Sequence, residues 1–469
     1  MICRSLATRL VLLLGVACLA LLPACGGVGS GGTGMPSGTA QGTVNGFGSV
    51  FVDGVRYDDS QVPTLRENEP GVETQTAAVL GDTLVVEHAS DGVASRVVVD
   101  ATLIGPVTAI PAPGSFVVLG QTVVVNGDAL RGPITQFSGG YVNSASVVVG
   151  DAVEVHGLIV PQGGAFSIQA TRVGHLSVLP TYLKATGLVS LLGPSGFNLG
   201  TLKVVTANAS LVPQGAMLAN GAVVSVLADK ASNAATAGAP TLVASQVRVK
   251  KIGSEGDQVS ISGLVVGLDT VAARFELGGL PVQYGNATVS PSGAHLVAGR
   301  YVRVTGEVAA DGSLRASTVT IRDGVSEPEA ELKGDISGFV AATKTFVVRG
   351  VTVDATTAQL EGCPASGLAN GLYVEIEGAL DSTGVVAKEV HCEGEPAGST
   401  IERAGVAGTV DAGASTFVLT TTAGSSINVR WTASTYFNDV TASTLSGKRV
   451  EVQGEMVDGV LVAQKVELD

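Results

Sequence analysis

Apolar and polar residues alternate along most of the chain, in short runs broken by glycine. The clearest run is Gly447-Lys448-Arg449-Val450-Glu451-Val452-Gln453-Gly454, followed across Asp458-Gly459 by VLVAQKVEL. Period-two alternation on both sides of a two-residue turn predicts a half-buried strand, a tight turn and a returning strand. The same pair can be read five more times upstream. Its first strands open at Gly81, Gly150, Gly221, Gly299, Gly371 and Gly447. Apolar residues follow three and five positions later, at Leu84/Val86, Val153/Val155, Val224/Val226, Val302/Val304, Val374/Ile376 and Val450/Val452. Ahead of each pair come a glycine-containing opening strand, such as ISGLVVG or VAGTVDA, and a short Phe- or Leu-bearing strand, such as TFVVRGVTV.

The leading glycines lie 69 to 78 residues apart. A solenoid needs shorter, near-constant repeats, so this spacing predicts small domains in a row. The expected units are 42–100, 101–176, 183–252, 257–323, 331–395 and 403–469. Five to six short strands in meander order predict an all-β chain of six partly open barrels of the oligonucleotide/oligosaccharide-binding type; a small sandwich is the alternative. A domain of this size buries only about 60% of its unfolded surface, so contacts between neighbours are expected to help. Segments 177–182, 323–335 and 393–402 read as breaks between units, the last two as exposed acidic hinges. Segments 64–76 and 228–240 read as polar inserts within units.

Composition fits the pattern: 63 glycines, 45% hydrophobic, 4% aromatic and 14% charged residues. That apolar share can bury a core, which argues against disorder. Residues 1–24 carry Arg4 and Arg9 ahead of an apolar stretch from Leu10 to Leu22, too short for a comfortable membrane span. The stretch ends in Leu22-Pro23-Ala24-Cys25-Gly26, which resembles the bacterial lipobox. That resemblance implies cleavage before Cys25, its diacylation and, with Gly26 following, an outer-membrane address; an ordinary secretory signal is the alternative. Two acyl chains anchor stably where one does not. Residues 25–41, rich in Gly, Ser and Thr, read as a flexible tether.

Cys3 and Cys18 fall in the signal and Cys25 would carry lipid, so Cys363 and Cys392 remain. In an exported chain they are expected to form a disulfide. With His391 and Glu393 adjacent, a Cys/His metal site is the competing reading. The formal charge is −14, and loss of Arg4 and Arg9 makes the balance more acidic. No basic face is expected, and nucleic acid is not an expected partner.

The run Gly42-Thr-Val-Asn-Gly-Phe-Gly-Ser-Val-Phe-Val-Asp-Gly-Val-Arg-Tyr57, with LGDTLVVE downstream, resembles the opening repeat of bacterial lipoproteins of the domain-of-unknown-function family 5666. The resemblance extends over nearly all of residues 42–469 and is weakest in the third unit, where Ala228 replaces the closing glycine. It implies tandem β-domains on exported proteins and supplies no catalytic residues.

Candidate chemistry is sparse. Asp58-Asp59 sit on adjacent strand positions and would point to opposite faces. Gly46-Phe47-Gly48 lacks the helix and Lys-Ser/Thr of a phosphate loop, and no nucleophile elbow is present. Trp431, Tyr436 and Phe437 form the one aromatic cluster of note, either a sugar-stacking platform or part of the core. No catalytic residue, metal or cofactor is expected. The reading is a non-catalytic envelope lipoprotein, tied to the membrane through its N-terminal lipid, that presents β-domains to an envelope protein or polysaccharide. The alternative is a polysaccharide- or small-ligand-binding protein using one barrel face, and an exported hydrolase ranks last.

Overall fold

The computed structural model of the protein describes residues 37–468, apart from 60–61, 91, 164, 234–239, 323–329, 365–366, 393–399, 422–423, 439 and 458. Among them there is no α-helix; three short 3-10 turns, Ala129–Arg131, Ser144–Ser146 and Lys230–Asn233, interrupt an otherwise β structure.

The last unit shows the plan most simply. Thr400–Asp411 pairs antiparallel with Thr416–Thr421, which pairs with Ser426–Asn438. Ser426–Asn438 runs parallel to Val460–Leu468, and Arg449–Val457 lies between that strand and the first. These five strands close a barrel. The same circuit recurs upstream, with the third strand split in two. In the fifth unit Val351–Asp354 and Gln359–Glu361 both run parallel to Val385–Cys392.

The alternation in the sequence becomes the barrel wall. All twelve apolar residues placed three and five positions after the leading glycines are fully buried. The second strands add one buried aromatic each: Phe51, Phe116, Phe197, Phe275, Phe346 and Phe417. Every leading glycine adopts a left-handed φ between 77° and 99°, a region where a side chain is strained. From there it donates its N–H to a first-strand carbonyl, that of Val44, Val107, Val189, Val265, Ile336 or Ala407, at 2.7–2.9 Å. The same first-strand residue donates back to the carbonyl one position beyond the glycine, at 2.8–3.0 Å. The closing glycines Gly157, Gly306, Gly378 and Gly454 sit at β-bulges. A Cβ on any of them would lie 2.1–2.5 Å from a carbonyl of the returning strand.

The units do not stand in a row. Gly38–Phe47, the first strand of the first unit, runs parallel to Gln258–Leu264 of the fourth and, at its other end, to Ala330–Asp335 of the fifth. The first and fifth units share one apolar core, and the second and third share another. In the latter, Leu103–Ala112 pairs directly with Tyr182–Gly193. Paired edge strands bury backbone donors that a separate small barrel would leave open to solvent, which is why neighbours fuse.

Several expected boundaries move accordingly. Gly38–Gln41, expected in the tether, is strand. Ala330–Asp335, expected in a hinge, is a strand with Ala330 and Leu332 buried, and the sixth unit starts at Thr400 rather than 403. Residues 1–36, with the signal and Cys25, lie outside the described residues.

Substituting Gly378→Ala should cost about 2–3 kcal/mol, since the new methyl meets the Val386 carbonyl. Thermal unfolding of the variant against the parent measures it; an unchanged Tm would contradict the bulge requirement.

Candidate functional site

Of the predicted site residues, Cys363 and Cys392 meet as a disulfide with a Cα–Cα distance of 4.7 Å. The bridge ties the segment after the fifth unit's split third strand to the end of its last strand. His391 stands outside it, with Nδ1 3.8 Å from a Glu361 carboxylate oxygen.

The aromatic trio divides. Trp431 is half-buried, 6.2 Å from the Phe417 ring and edge-on to Phe437 at 6.1 Å, so these two extend the sixth core. Between Trp431 and Tyr436 the register slips against the neighbouring strand, which turns Tyr436 outward, 54% exposed. The trio is therefore not one platform.

The same barrel carries a groove of about 720 Å³ between its first strand and the loop that plugs its end. Val406, Gly408, Val410, Ala412, Ser443 and Ser446 line it, with no charged or aromatic side chain in the lining. In the fifth unit the corresponding space holds Asn370, whose Oδ1 accepts the Phe339 N–H at 2.8 Å. In the third, Asn220 does the same for Leu192 at 3.0 Å. Ser446 occupies that position in the sixth unit, is shorter, and donates to the Gly408 carbonyl at 3.2 Å.

The densest ionisable cluster lies where the first unit meets the second. Asp82, Glu154 and His156 are buried there and their ligand-type atoms approach within 4.8 Å of one another. Arg172 donates through Nε to Asp82 at 2.5 Å and through Nη2 to Glu154, which Arg66 also contacts. The Thr83 backbone N–H donates to His156 Nδ1 at 2.9 Å. That bond makes Nδ1 an acceptor, so the ring proton sits on Nε2, 3.1 Å from both carboxylates. A metal ion does not fit this arrangement, because the guanidinium already takes the cation position and the inward nitrogen carries hydrogen. Burial lowers the His156 pKa, against the pull of Asp82, and keeps the imidazole neutral. Burial alone would raise Glu154, but the hydrogen bond from His156 and the charges of Arg172 and Arg66 hold it well below the usual range.

A second charged layer joins the first unit to the third. Glu67 accepts from Arg248 at 2.8 Å and from Gln246 at 2.9 Å. Lys184 lies 2.8 Å from Asp100, which Lys250 also contacts, and burial brings both lysines down to about 8. Toward the fourth unit, Tyr301 donates its hydroxyl to Asp53 at 2.7 Å, and toward the fifth Arg56 reaches Glu375 at 3.1 Å. The chemistry of these groups is cohesion: acids and bases from different units neutralise each other inside the seams. Sequence reasoning passed over them because Asp82 and Glu154 belong to different repeats. One signal was present. The residue four positions after each leading glycine points outward, yet reads Glu154, Arg303, Glu375 and Glu451 in four units, and each of these meets another unit, Glu154 through Arg66.

A family model described as "Domain of unknown function (DUF5666)" matches residues 104–174, 262–320, 333–391 and 405–467, together more than half of the chain. These segments are the second, fourth, fifth and sixth units. The first and third, outside the match, are the two in which His88 and Ala228 stand where the others have the closing glycine. No curated protein matches the chain. Two solved structures are similar to parts of it. One, "drosophila Unr CSD456", is 15% identical, with 44% of this chain and 96% of that chain covered at a TM-score of 0.13. The other is a multidomain protein with nucleic acid binding domains from Streptococcus pneumoniae, 11% identical, with 45% and 73% covered at a TM-score of 0.12. At such scores neither bears on function.

Arg172→Met should destabilise the chain by about 3–5 kcal/mol, because it takes the guanidinium from buried Asp82 and leaves Glu154 with Arg66 alone of its two cations. Since Glu154 is depressed, its contribution is present above about 4.5 and is lost as pH falls below that value. Urea titrations at pH 7 and pH 3 would show the gap between variant and parent narrowing in acid.

Proposed function

The chain belongs to the family described as Domain of unknown function (DUF5666), and on that premise we propose that it is a non-catalytic, lipid-anchored envelope protein presenting interlocked β-barrels for binding. One observation carries the reading: acids and bases, several of them buried, meet in the seams between units. Arg172, Glu154, Glu67, Arg248, Asp53 and Arg56 are all engaged in holding barrel to barrel. Such pairing favours a defined arrangement of units over strength of any one contact. A fixed array of repeated faces gains avidity and reach from number. The lipobox-like Leu22-Pro23-Ala24-Cys25 supports export and anchoring, and the acidic balance disfavours nucleic acid as the partner.

A second reading is favoured by the groove of the sixth barrel. Its neutral lining of small apolar side chains and serine hydroxyls suits an uncharged sugar ring, and Trp431, outside the lining, is tied to the adjoining hairpin by its backbone N–H, which donates to the Ser415 carbonyl at 3.0 Å.

The soluble form beginning after Cys25, used as bait on solubilised envelopes and on a glycan array, should retain a protein or polysaccharide partner. Neutral glycans should quench the fluorescence of Trp431 if the second reading holds. Mass spectrometry of the full-length protein from cells should find Cys25 diacylated at a new amino end. Recovery of no partner, or an unmodified Cys25, would overturn the corresponding half of the proposal.

A further inference from the structure

The groove of the sixth barrel lies where two other barrels place a carboxamide. In all three barrels the leading glycine donates to a first-strand carbonyl, that of Val189, Ile336 or Ala407. Just beyond that residue the first strand bulges. Three positions after it stand Leu192, Phe339 and Val410. The Leu192 N–H goes to Asn220 Oδ1 at 3.0 Å, and the Phe339 N–H goes to Asn370 Oδ1 at 2.8 Å. Both asparagines sit directly before the leading glycine, at the end of the loop that plugs the barrel. The bulge thus turns one backbone donor off the ladder and toward that loop, where a side-chain amide oxygen meets it.

The sixth barrel keeps the bulge and the loop but not the amide. Ser446 precedes Gly447, and its hydroxyl donates to the Gly408 carbonyl at 3.2 Å. Val410, in the position of Leu192 and Phe339, lines the groove of about 720 Å³. Serine in place of asparagine removes a carbonyl and leaves room for one brought from outside. Around that point the lining offers apolar surface from Val406 and Ala442 and hydroxyls from Ser443 and Ser446. Val406 is 43% exposed, so this apolar surface is still open to water.

We propose that the groove of the sixth barrel binds N-acetylated amino sugars, with the acetamido carbonyl accepting the Val410 N–H as the asparagine oxygens accept those of Leu192 and Phe339. The inference rests on the reading of this groove as a sugar site and adds the group that is recognised. An acetamido sugar brings a neutral carbonyl for the backbone donor, a methyl for Val406 and Ala442, and ring hydroxyls for the serines. A charged sugar would meet no counter-charge in the lining. A plain glucan brings hydroxyls but no methyl. One neutral hydrogen bond and one buried methyl together should favour the acetamido sugar about tenfold or more.

Isothermal titration of the soluble form beginning after Cys25 tests this, with the trimers of N-acetylglucosamine and of glucose as probes. The acetylated trimer should bind at one site, about tenfold or more tightly than the glucose trimer. Ser446→Asn supplies the carboxamide from the chain itself, so it should abolish that preference while Tm stays the same or rises. Ala442→Leu fills the groove from the loop and should cause the same loss, which keeps the test open should the first variant misfold. Equal binding of the two trimers would overturn the inference and leave the groove a sugar site. Binding of neither would overturn both readings. Acetylated-sugar binding that survives both substitutions would place the site elsewhere and overturn the inference. Tighter binding of a blocked alanine tripeptide would do so too, marking the bulged strand as an edge for peptides.

Discussion

The reciprocal pair of backbone hydrogen bonds at each leading glycine is the constraint on which the rest rests. It fastens the fourth strand of every unit to the bend of the first, and that fixes which face of the strand turns inward. Because strand side chains alternate, a slip of one residue would exchange core and surface. With register fixed, positions three and five after the glycine enter the core and position four leaves it. A left-handed φ is needed to aim the glycine N–H back at the first strand, so the residue is set by backbone geometry rather than by packing. The closing bulge glycine answers a second need. It lets two strands cross where a carbonyl occupies the space of a Cβ, and units without it are more divergent in sequence.

Position four then decides how units meet. On a solitary barrel an outward charge would be solvated and would contribute little. In the seams the same charge is desolvated, and the balance depends on finding its opposite with good geometry. Glu154 finds Arg172 and Arg66, Glu375 finds Arg56, and Glu451 finds Arg349. The first unit is the hub because its hairpin Thr64–Glu69 and Val72–Gln75, together with Asp53, Arg56 and Asp82, reaches four other units. The polar segment 64–76, which reads as an insert, is therefore an arm that carries Arg66 to the second unit and Glu67 to the third.

Strands, turns, the inward residues and the pairing of Cys363 with Cys392 could be read from the chain because each depends on neighbours close in sequence or on the repeat itself. The seams could not. The ladder between Gly38–Gln41 and Gln258–Ile261 joins residues some 220 positions apart by backbone bonds; a Cβ on Gly38 would lie 2.2 Å from the Gln258 carbonyl, but one glycine among 63 does not name its neighbour. Trp431, Tyr436 and Phe437 looked like one group on spacing alone. The bulge between Trp431 and Tyr436 breaks the period of two, so parity no longer predicted which ring faces out.

The repeats are thus alike inside and different outside. Inner positions interchange freely among Val, Leu and Ile, since each barrel has the same cavity to fill. Outer charges do not, since Arg303, Glu375 and Glu451 each meet a different residue of another unit and Glu154 meets Arg66 of the first unit. Exchanging the fifth unit for a second copy of the fourth would set Arg303 where Glu375 meets Arg56, and like charges would face each other in a seam. Repetition therefore built the barrels, and divergence at the outward positions gave each barrel a fixed place. Any surface through which this protein engages a partner is then composite, made of faces whose order along the array is as specific as the residues on them.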